Sequence, residues 1–173
     1  MRMIAKEAGI SIGGVYLYFK TKEELSLFLI REKIKELDDR ISHFFEDITN
    51  PAKVLKAYIK EAIDFARENR ELIIMHSKEQ GFTFGIEIKR EFFGKEKTLL
   101  KNLIDRGITE GEFIKCNSEE VAKLIMHIIR GYVLSVVVDP ENLIDPDECV
   151  KIIFSGLLKG KGDSSPSLCS GSE

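Results

Sequence analysis

The sequence predicts an all-α protein in which an N-terminal helix-turn-helix precedes a helical bundle. Apolar residues recur at steps of three and four along most of the chain, which is the period of a helix packed on one side. Cap residues, prolines and glycines divide this pattern at regular intervals. No segment combines strand-like alternation with hairpin signals, so we expect no β-sheet.

The first element is predicted to be helix, tight turn, helix over Ile4 to Phe19. Gly9 can take the positive φ that a short turn needs, and the Ser11 hydroxyl can cap the second helix. Val15 and Phe19, four residues apart, would face Ile4 and Ala8 of the first helix. The outward positions would then be Ser11, Ile12, Gly14, Tyr16 and Tyr18.

A long helix follows, because Thr21 and Glu24 form a capping box at its start. One apolar seam runs along it through Leu27, Ile30, Ile34, Leu37, Ile41 and Phe44. Further helices are expected to begin at Asn50-Pro51, near Glu71, at about Ile86, at Ser118 and at Asp145-Pro146. The segment 81–85, Gly107 and Pro140 are expected to end the helices before them.

The charge is distributed unevenly along the 173 residues. The net charge is −3, which excludes a general polyanion binder. Residues 1–22 nevertheless carry four basic residues and one acidic residue, a net +3 that leaves −6 elsewhere. We therefore expect any contact with phosphate at the N-terminal end only.

The sequence offers no signal for an enzyme, a metal, a cofactor or a membrane span. The three cysteines form no CxxC pair, which favours a reducing cytoplasm. No P-loop, GxSxG or HExxH motif is present. The longest apolar stretch, around 124–138, contains His127 and Arg130 and is expected to be too short to cross a bilayer.

The stretch IAKEAGISIGGVYLYFKTKEEL, Ile4 to Leu25, resembles the helix-turn-helix signature of the tetracycline-repressor (TetR) family. The resemblance implies that Ser11, Ile12, Gly13 and Gly14 approach base edges of an operator in double-stranded DNA. It implies that Tyr16, Tyr18 and Lys22 hold phosphates, a role that suits hydroxyl and ammonium groups. The alternative is that Gly13 and Gly14 form a plain loop and that the two tyrosines are core aromatics.

The resemblance also implies a division of the chain. Residues 1–22, or 1–45 with the connecting helix, would be a helix-turn-helix domain that lacks the family's first helix. Residues 46–158 would bind a ligand and form a homodimer, and the composition of 159–173 predicts a disordered tail. The implied function is a ligand-responsive repressor on a palindromic operator. The alternative is a helical small-molecule-binding or interaction protein without DNA binding.

A small apolar or amphipathic effector would need a cavity between the helices of the bundle. The aromatic, Met and His residues at helical spacing are candidates for its lining. These candidates are Phe65, Met75, His76, Phe82, Phe84, Phe92, Phe93 and Met126. The alternative is that these residues are plain core.

The helix from residue 118 to 138 is apolar on most of its circumference, so it needs burial on more than one side. A twofold partner could supply one of those sides. The candidates for the dimer interface are Tyr132, Val133, Val136, Ile153, Phe154 and Leu157. Intramolecular core remains the alternative for them. Lys123, His127 and Arg130 form a polar stripe that is either solvated, at a dimer edge, or anion-binding.

Overall fold

Eight helices make up the fold in the computed structural model, which describes residues 1–81 and 83–158. They are α1 Arg2–Glu7, α2 Ile12–Tyr18, α3 Lys22–Asp47, α4 Pro51–Glu68, α5 Arg70–Gln80, α6 Ile86–Thr109, α7 Ser118–Val138 and α8 Pro146–Leu157. Within these ranges the β-structure is one bridge between Phe113 and Leu158. The all-α prediction is confirmed. The candidate pocket residue Phe82 and the predicted tail, 159–173, lie outside the described residues.

Three of the predicted helix caps are present as hydrogen bonds. The Thr21 hydroxyl accepts from the Glu24 N–H at 3.1 Å, and the Asn50 side chain accepts from the Lys53 N–H at 2.9 Å. Asp145 caps α8 by accepting two backbone N–H groups. At α7 the cap is Asn117, one residue before the expected Ser118, because the Asn117 side chain accepts from the Glu120 N–H at 3.2 Å.

The core lies around α4, which packs against α3, α6, α7 and α8. The fully buried face of α4 meets buried residues of α6 and α7, and these side chains exclude water from the centre of the bundle. They include Val54, Leu55, Ile59, Ile63, Leu100, Ile104, Ile125 and Val136. On the outer side, the Arg40 guanidinium of α3 pairs with Glu61 and Glu68 of α4 at 3.1 and 2.9 Å.

Gly107 lies inside α6 and does not end it, contrary to the expectation from its sequence. The helix continues to Thr109. A Cβ at position 107 would overlap the ring of Phe113, which is 2% exposed. The ring of Phe113 also meets Phe154 edge-on, with centroids 6.5 Å apart. The glycine therefore makes room for an aromatic side chain that ties the loop after α6 to α8.

The apolar helix α7 has the bounds that the sequence predicts, Ser118–Val138, and contains 21 residues. The stretch 124–138, which we expected to be too short for a bilayer, is only part of it, and by length and composition alone the whole helix could cross a membrane. Its buried stripe, including Ala122, Ile125 and Ile129, belongs to the core, and the helix packs against α4, α5 and α6. These contacts are those of a core helix in a bundle.

Candidate functional site

The turn between α1 and α2 is closed by two backbone hydrogen bonds. The Ile10 N–H donates to the Ala5 carbonyl at 3.0 Å, and the Gly9 N–H donates to the Lys6 carbonyl at 3.2 Å. Gly9 has a φ of +66°, as the sequence predicts. This is a Schellman arrangement, in which a residue without a Cβ ends the helix in the left-handed region. The turn therefore fixes the angle at which α2 leaves α1.

The first turn of α2 depends on a residue without a Cβ, Gly14, beside the capping hydroxyl. The Ser11 hydroxyl accepts from the Gly14 N–H at 2.9 Å. A Cβ added at Gly14 would lie 3.3 Å from the same oxygen, which is a tight contact. Inside the motif, Ala5 and Val15 are buried. Ile4, which we expected to pack there, is 38% exposed, because the short α1 presents only one stripe to α2.

The outer face of α2 carries the side chains that the sequence assigned to it. Ile12 and Tyr16 are 41% and 45% exposed, and Tyr18 is 78% exposed. The interpretation of the two tyrosines as core aromatics is therefore wrong. Leu17, equally exposed at 78%, was not singled out by the sequence. The Phe19 ring instead turns inward and meets Phe28 of α3, with centroids 5.2 Å apart, which anchors α2 on α3.

Lys22, the last residue of the candidate DNA-contacting set, has a partner within the chain. Its Nζ lies 2.5 Å from an Oε of Glu79 in α5. Both side chains are partly exposed. This ion pair joins the start of α3 to the far end of α5.

A cavity of about 300 Å³ lies within the bundle, between α3, α4, α5, α6 and α7. Five of the predicted residues line it: Phe65, His76, Phe92, Phe93 and Met126. Met75 is 40% exposed and lies outside the lining, since it is one residue, or about 100°, around α5 from His76. Phe84 also lies outside the lining and stacks on the His76 ring instead, with centroids 6.4 Å apart.

Helix α3 also contributes to the cavity, and none of the pocket residues predicted from the sequence lies on it. One wall is formed by the apolar seam of this helix: Ile30, Ile34, Leu37 and Ile41. The periodicity had identified these residues as one face, and that face was the available signal. Ala62 and Ala66 of α4 leave the space opposite this wall.

Few polar groups reach the cavity. His76 Nε2 is buried and has no hydrogen-bond partner among the described residues. Burial, followed by the nearby Lys89, lowers the pKa of His76. The Arg130 guanidinium lies 4.1 Å from the centroid of the Phe93 ring at the cavity wall. An orphaned imidazole nitrogen in an apolar cavity is suited to a hydrogen bond with a bound molecule.

A carboxyl group lies behind the cavity wall. Glu96 of α6 is fully buried, and both of its carboxyl oxygens are shielded from water. Burial raises the pKa of this carboxyl to about 7, while the hydroxyl of Tyr58 opposes the rise. Tyr58 is buried and lines the cavity, so it separates the carboxyl from the space inside.

The structure corrects part of the expected dimer surface. Tyr132, Val136 and Leu157 are at most 5% exposed and belong to the core of the single chain. Val133 lines the cavity. Ile153 and Phe154 are half-buried against the core. The exposed apolar residues of these two helices are Leu124, Leu134, Val138 and Ile152. A helix that is apolar on most of its circumference gives no periodic signal to separate the buried apolar stripe from the exposed one.

Across residues 1–81 and 83–158, no group of three or more His, Cys, Asp or Glu side chains could hold a metal ion. The arrangement presents two features instead. One is an exposed helix on a rigid turn at the N-terminus, and the other is an apolar cavity in the bundle.

Comparison with known proteins finds relatives of the N-terminal motif and of the fold. Residues 1–27 match the family model "Bacterial regulatory proteins, tetR family". The HTH-type transcriptional regulator YerO of Bacillus subtilis is 28% identical over 159 residues, covering 89% of this chain and 54% of YerO. A fatty acid metabolism regulator protein of the same organism is 28% identical over 108 residues, covering 62% of this chain and 55% of that protein. The chain thus spans about half the length of these curated relatives.

The fold agrees with solved structures. The transcriptional regulator FadR of Bacillus subtilis, solved with stearoyl-CoA, superposes with a TM-score of 0.69 at 22% identity. The match covers 88% of this chain and 86% of FadR. The signature from Ile4 to Leu25 and the family model agree that residues 1–27 are similar to the tetR family of bacterial regulatory proteins, and FadR shares the helical fold of the chain.

Proposed function

We propose that the chain is a ligand-responsive transcriptional repressor that binds a palindromic DNA operator as a homodimer in the cytoplasm. The observation that carries the proposal is the exposed face of α2 on its fixed turn, within the 27 residues that match the family model. The curated relatives are themselves regulators, and YerO is an HTH-type transcriptional regulator. No enzymatic activity forms part of the proposal.

In the proposed complex, α2 enters the major groove of DNA with its N-terminal turn foremost. Ser11, Ile12, Gly13 and Gly14 then approach base edges, where the small residues let the backbone come close. Ile12 offers an apolar contact that suits a thymine methyl group. The exposed hydroxyls of Tyr16 and Tyr18 bond to phosphates on either side.

A palindromic operator requires a twofold symmetric dimer, with half-sites about 34–36 Å apart. The exposed apolar residues of α7 and α8 supply the surface for this dimer. Leu124, Leu134 and Val138 lie along one side of α7, and Ile152 lies on α8. Burial of these side chains against a second copy would remove them from water. Ile153 and Phe154, which are half-buried, stay proposed as interface residues.

The effector is proposed to be a molecule with a long apolar chain. The cavity is lined mainly by aliphatic and aromatic side chains, and burial in it favours apolar matter. One relative is a fatty acid metabolism regulator, and the solved FadR holds stearoyl-CoA. A fatty acyl chain therefore fits both the chemistry of the cavity and these similarities.

The switch is proposed to run through α3 and α5. Both helices line the cavity, and the Lys22–Glu79 ion pair joins them beside the DNA-binding motif. An effector that favours a second arrangement of these helices weakens DNA binding. Linkage then requires that DNA weaken effector binding by the same factor.

A fluorescence anisotropy assay tests the proposal with labelled DNA from upstream of the gene, random DNA as competitor, and a salt titration. We expect specific binding by a dimer, release by palmitoyl-CoA, and a loss of roughly tenfold in affinity for Tyr16→Ala. The matched control is Tyr132→Phe, which changes a buried tyrosine in the bundle. Equal affinity for upstream and random DNA at physiological salt would refute DNA recognition and favour a helical binding protein instead.

A further inference from the structure

A second concave surface adjoins the cavity. It is an open groove of about 660 Å³ between α6 and α7. Ten residues line it, and the basic ones among them are Lys89, Arg90, Lys97, Lys123, His127 and Arg130. Lys89, Phe93, Met126 and Arg130 line both the groove and the cavity, so the two spaces share a wall at these four residues.

The groove is basic throughout. Five of its ten lining residues are Lys or Arg, a sixth is histidine, and none is acidic. The nearest carboxylates belong to neighbouring surface positions. Lys97 lies 3.5 Å from Glu119, Lys123 lies 3.4 Å from Glu119 and 2.8 Å from Glu120, and Arg90 lies 2.8 Å from Glu87. Exposed ion pairs of this kind are weak and exchange readily for a stronger anionic partner.

Arg130 lies at the junction between the apolar cavity and the basic groove. Its guanidinium stacks on Phe93, which covers one face of the group. Among the described residues no carboxylate lies within ion-pair distance of it. Stacking leaves the N–H edge of an arginine free for bidentate hydrogen bonds, which match phosphate oxygens in geometry and charge.

We infer that the groove binds a phosphate-bearing group of an effector whose apolar chain occupies the cavity. The inference rests on the proposed function, because it takes the cavity as the site of an apolar chain. A lone carboxylate needs only one cation, whereas five Lys and Arg side chains along an open groove match several negative charges. The polar stripe of Lys123, His127 and Arg130 is thereby assigned to anion binding.

Calorimetric titration of the full chain tests this with four probes: palmitate, palmitoyl-CoA, coenzyme A and palmitoyl lysophosphatidate. Palmitate reports the cavity alone. Palmitoyl-CoA and lysophosphatidate carry the same chain with two different phosphate-bearing groups. We expect both to bind at least tenfold more tightly than palmitate, and the tighter of the two identifies the source of the phosphate.

The variant Lys97→Gln/Lys123→Gln separates the groove from the cavity. We expect it to weaken binding of the phosphate-bearing probes by about tenfold and to leave palmitate unchanged. The control is Lys60→Gln/Lys101→Gln, which removes two exposed, ion-paired lysines outside the groove and should leave all affinities unchanged.

The outcomes distinguish the two proposals. If palmitate and palmitoyl-CoA bind equally and the groove variant changes neither, the groove inference is overturned and the cavity proposal stands. If no probe with an acyl chain binds, the proposed effector class fails and the groove inference fails with it. If coenzyme A binds without an acyl chain, and the groove variant weakens that binding, the result directly supports phosphate binding in the groove.

Discussion

The Nζ of Lys22 lies 2.5 Å from an Oε of Glu79, and this contact joins the helix-turn-helix to α5, a helix that lines the cavity. The same lysine is a proposed phosphate ligand, so Glu79 and DNA compete for it. Both side chains are partly exposed, and such a pair is worth roughly 0.2–1 kcal/mol. This free energy is large enough to change the affinity for DNA. It is also small enough for Lys22 to leave Glu79 and bind a phosphate.

Glu79→Gln should therefore tighten binding to the operator by roughly two- to fivefold, because Lys22 is released and a negative charge near the DNA is removed. The salt dependence should steepen by about one phosphate contact. Anisotropy across a salt series measures both effects. Glu71→Gln, at the other end of the same helix, is the matched control, and an equal gain from it would show that only net charge matters.

Gly9→Ala should destabilise the helix-turn-helix, since φ is +66° at this position and a Cβ there costs about 1–2 kcal/mol. Gly9→Asn should recover part of the loss, because asparagine tolerates the left-handed region better than alanine does. Amide hydrogen exchange of 2–18 measures the effect locally. Equal exchange in the alanine and asparagine variants would count against backbone strain as the cause.

Gly107→Ala should lower the free energy of unfolding by about 1–3 kcal/mol, because the new methyl group would overlap the buried Phe113 ring. Gly94→Ala in the same helix meets no atom within 4 Å and should be neutral or stabilising by up to about 1 kcal/mol. Urea unfolding compares the two. Similar effects in both variants would mean that Phe113 moves aside without cost.

Glu96 should make the stability of the chain depend on pH. Burial raises the pKa of its carboxyl from 4.5 to about 7, with Asp38 adding to the rise and Lys95 opposing it. Between these values the folded chain binds more protons than the unfolded chain. The free energy of unfolding should therefore fall as the pH rises from about 4.5 to 7.

Glu96→Gln should remove that dependence and stabilise the chain at pH 8 by an amount on the order of 3 kcal/mol. Urea unfolding at pH 5.5 and pH 8 measures it. Glu91→Gln, an exposed position of the same helix, should retain the behaviour of the parent chain. A parent chain that is equally stable at both pH values would show that the carboxylate finds a partner or water when ionised.

The sequence predicted the features that depend on residues close together in the chain. Gly9, Ser11 and Thr21 act over three or four residues, so the turn and the start of α3 were predictable. Features that depend on which stripe of a helix meets which neighbour were not. Met75 and His76 differ by 100° around α5, and only the packing of the bundle decides which one faces the cavity.

The dimer candidates and Glu96 show the same limit. Tyr132 and Val136 lie on a helix that is apolar on most of its circumference, so hydrophobicity alone could not separate the core stripe from the exposed apolar one. Glu96 lies four residues from Phe92 and from Leu100, on the face that enters the core. That spacing was visible in the sequence. Because glutamate side chains are rarely buried, the spacing alone did not predict that Glu96 enters the core.

The 26 residues of α3 run without a glycine or a proline from the DNA-binding motif past the cavity. Such a helix is about 39 Å long, and a tilt of about 5° at one end displaces the other by roughly 3 Å. A helix without a break does not absorb rotation about its axis, so the angle between its two ends about that axis, their angular phase, stays fixed. Inserting one residue into α3 would turn the two halves by about 100° relative to each other, whereas seven residues would nearly restore the phase. Chimeras that join this sensor to another regulator's DNA-binding half should therefore work only at insert lengths that preserve the phase.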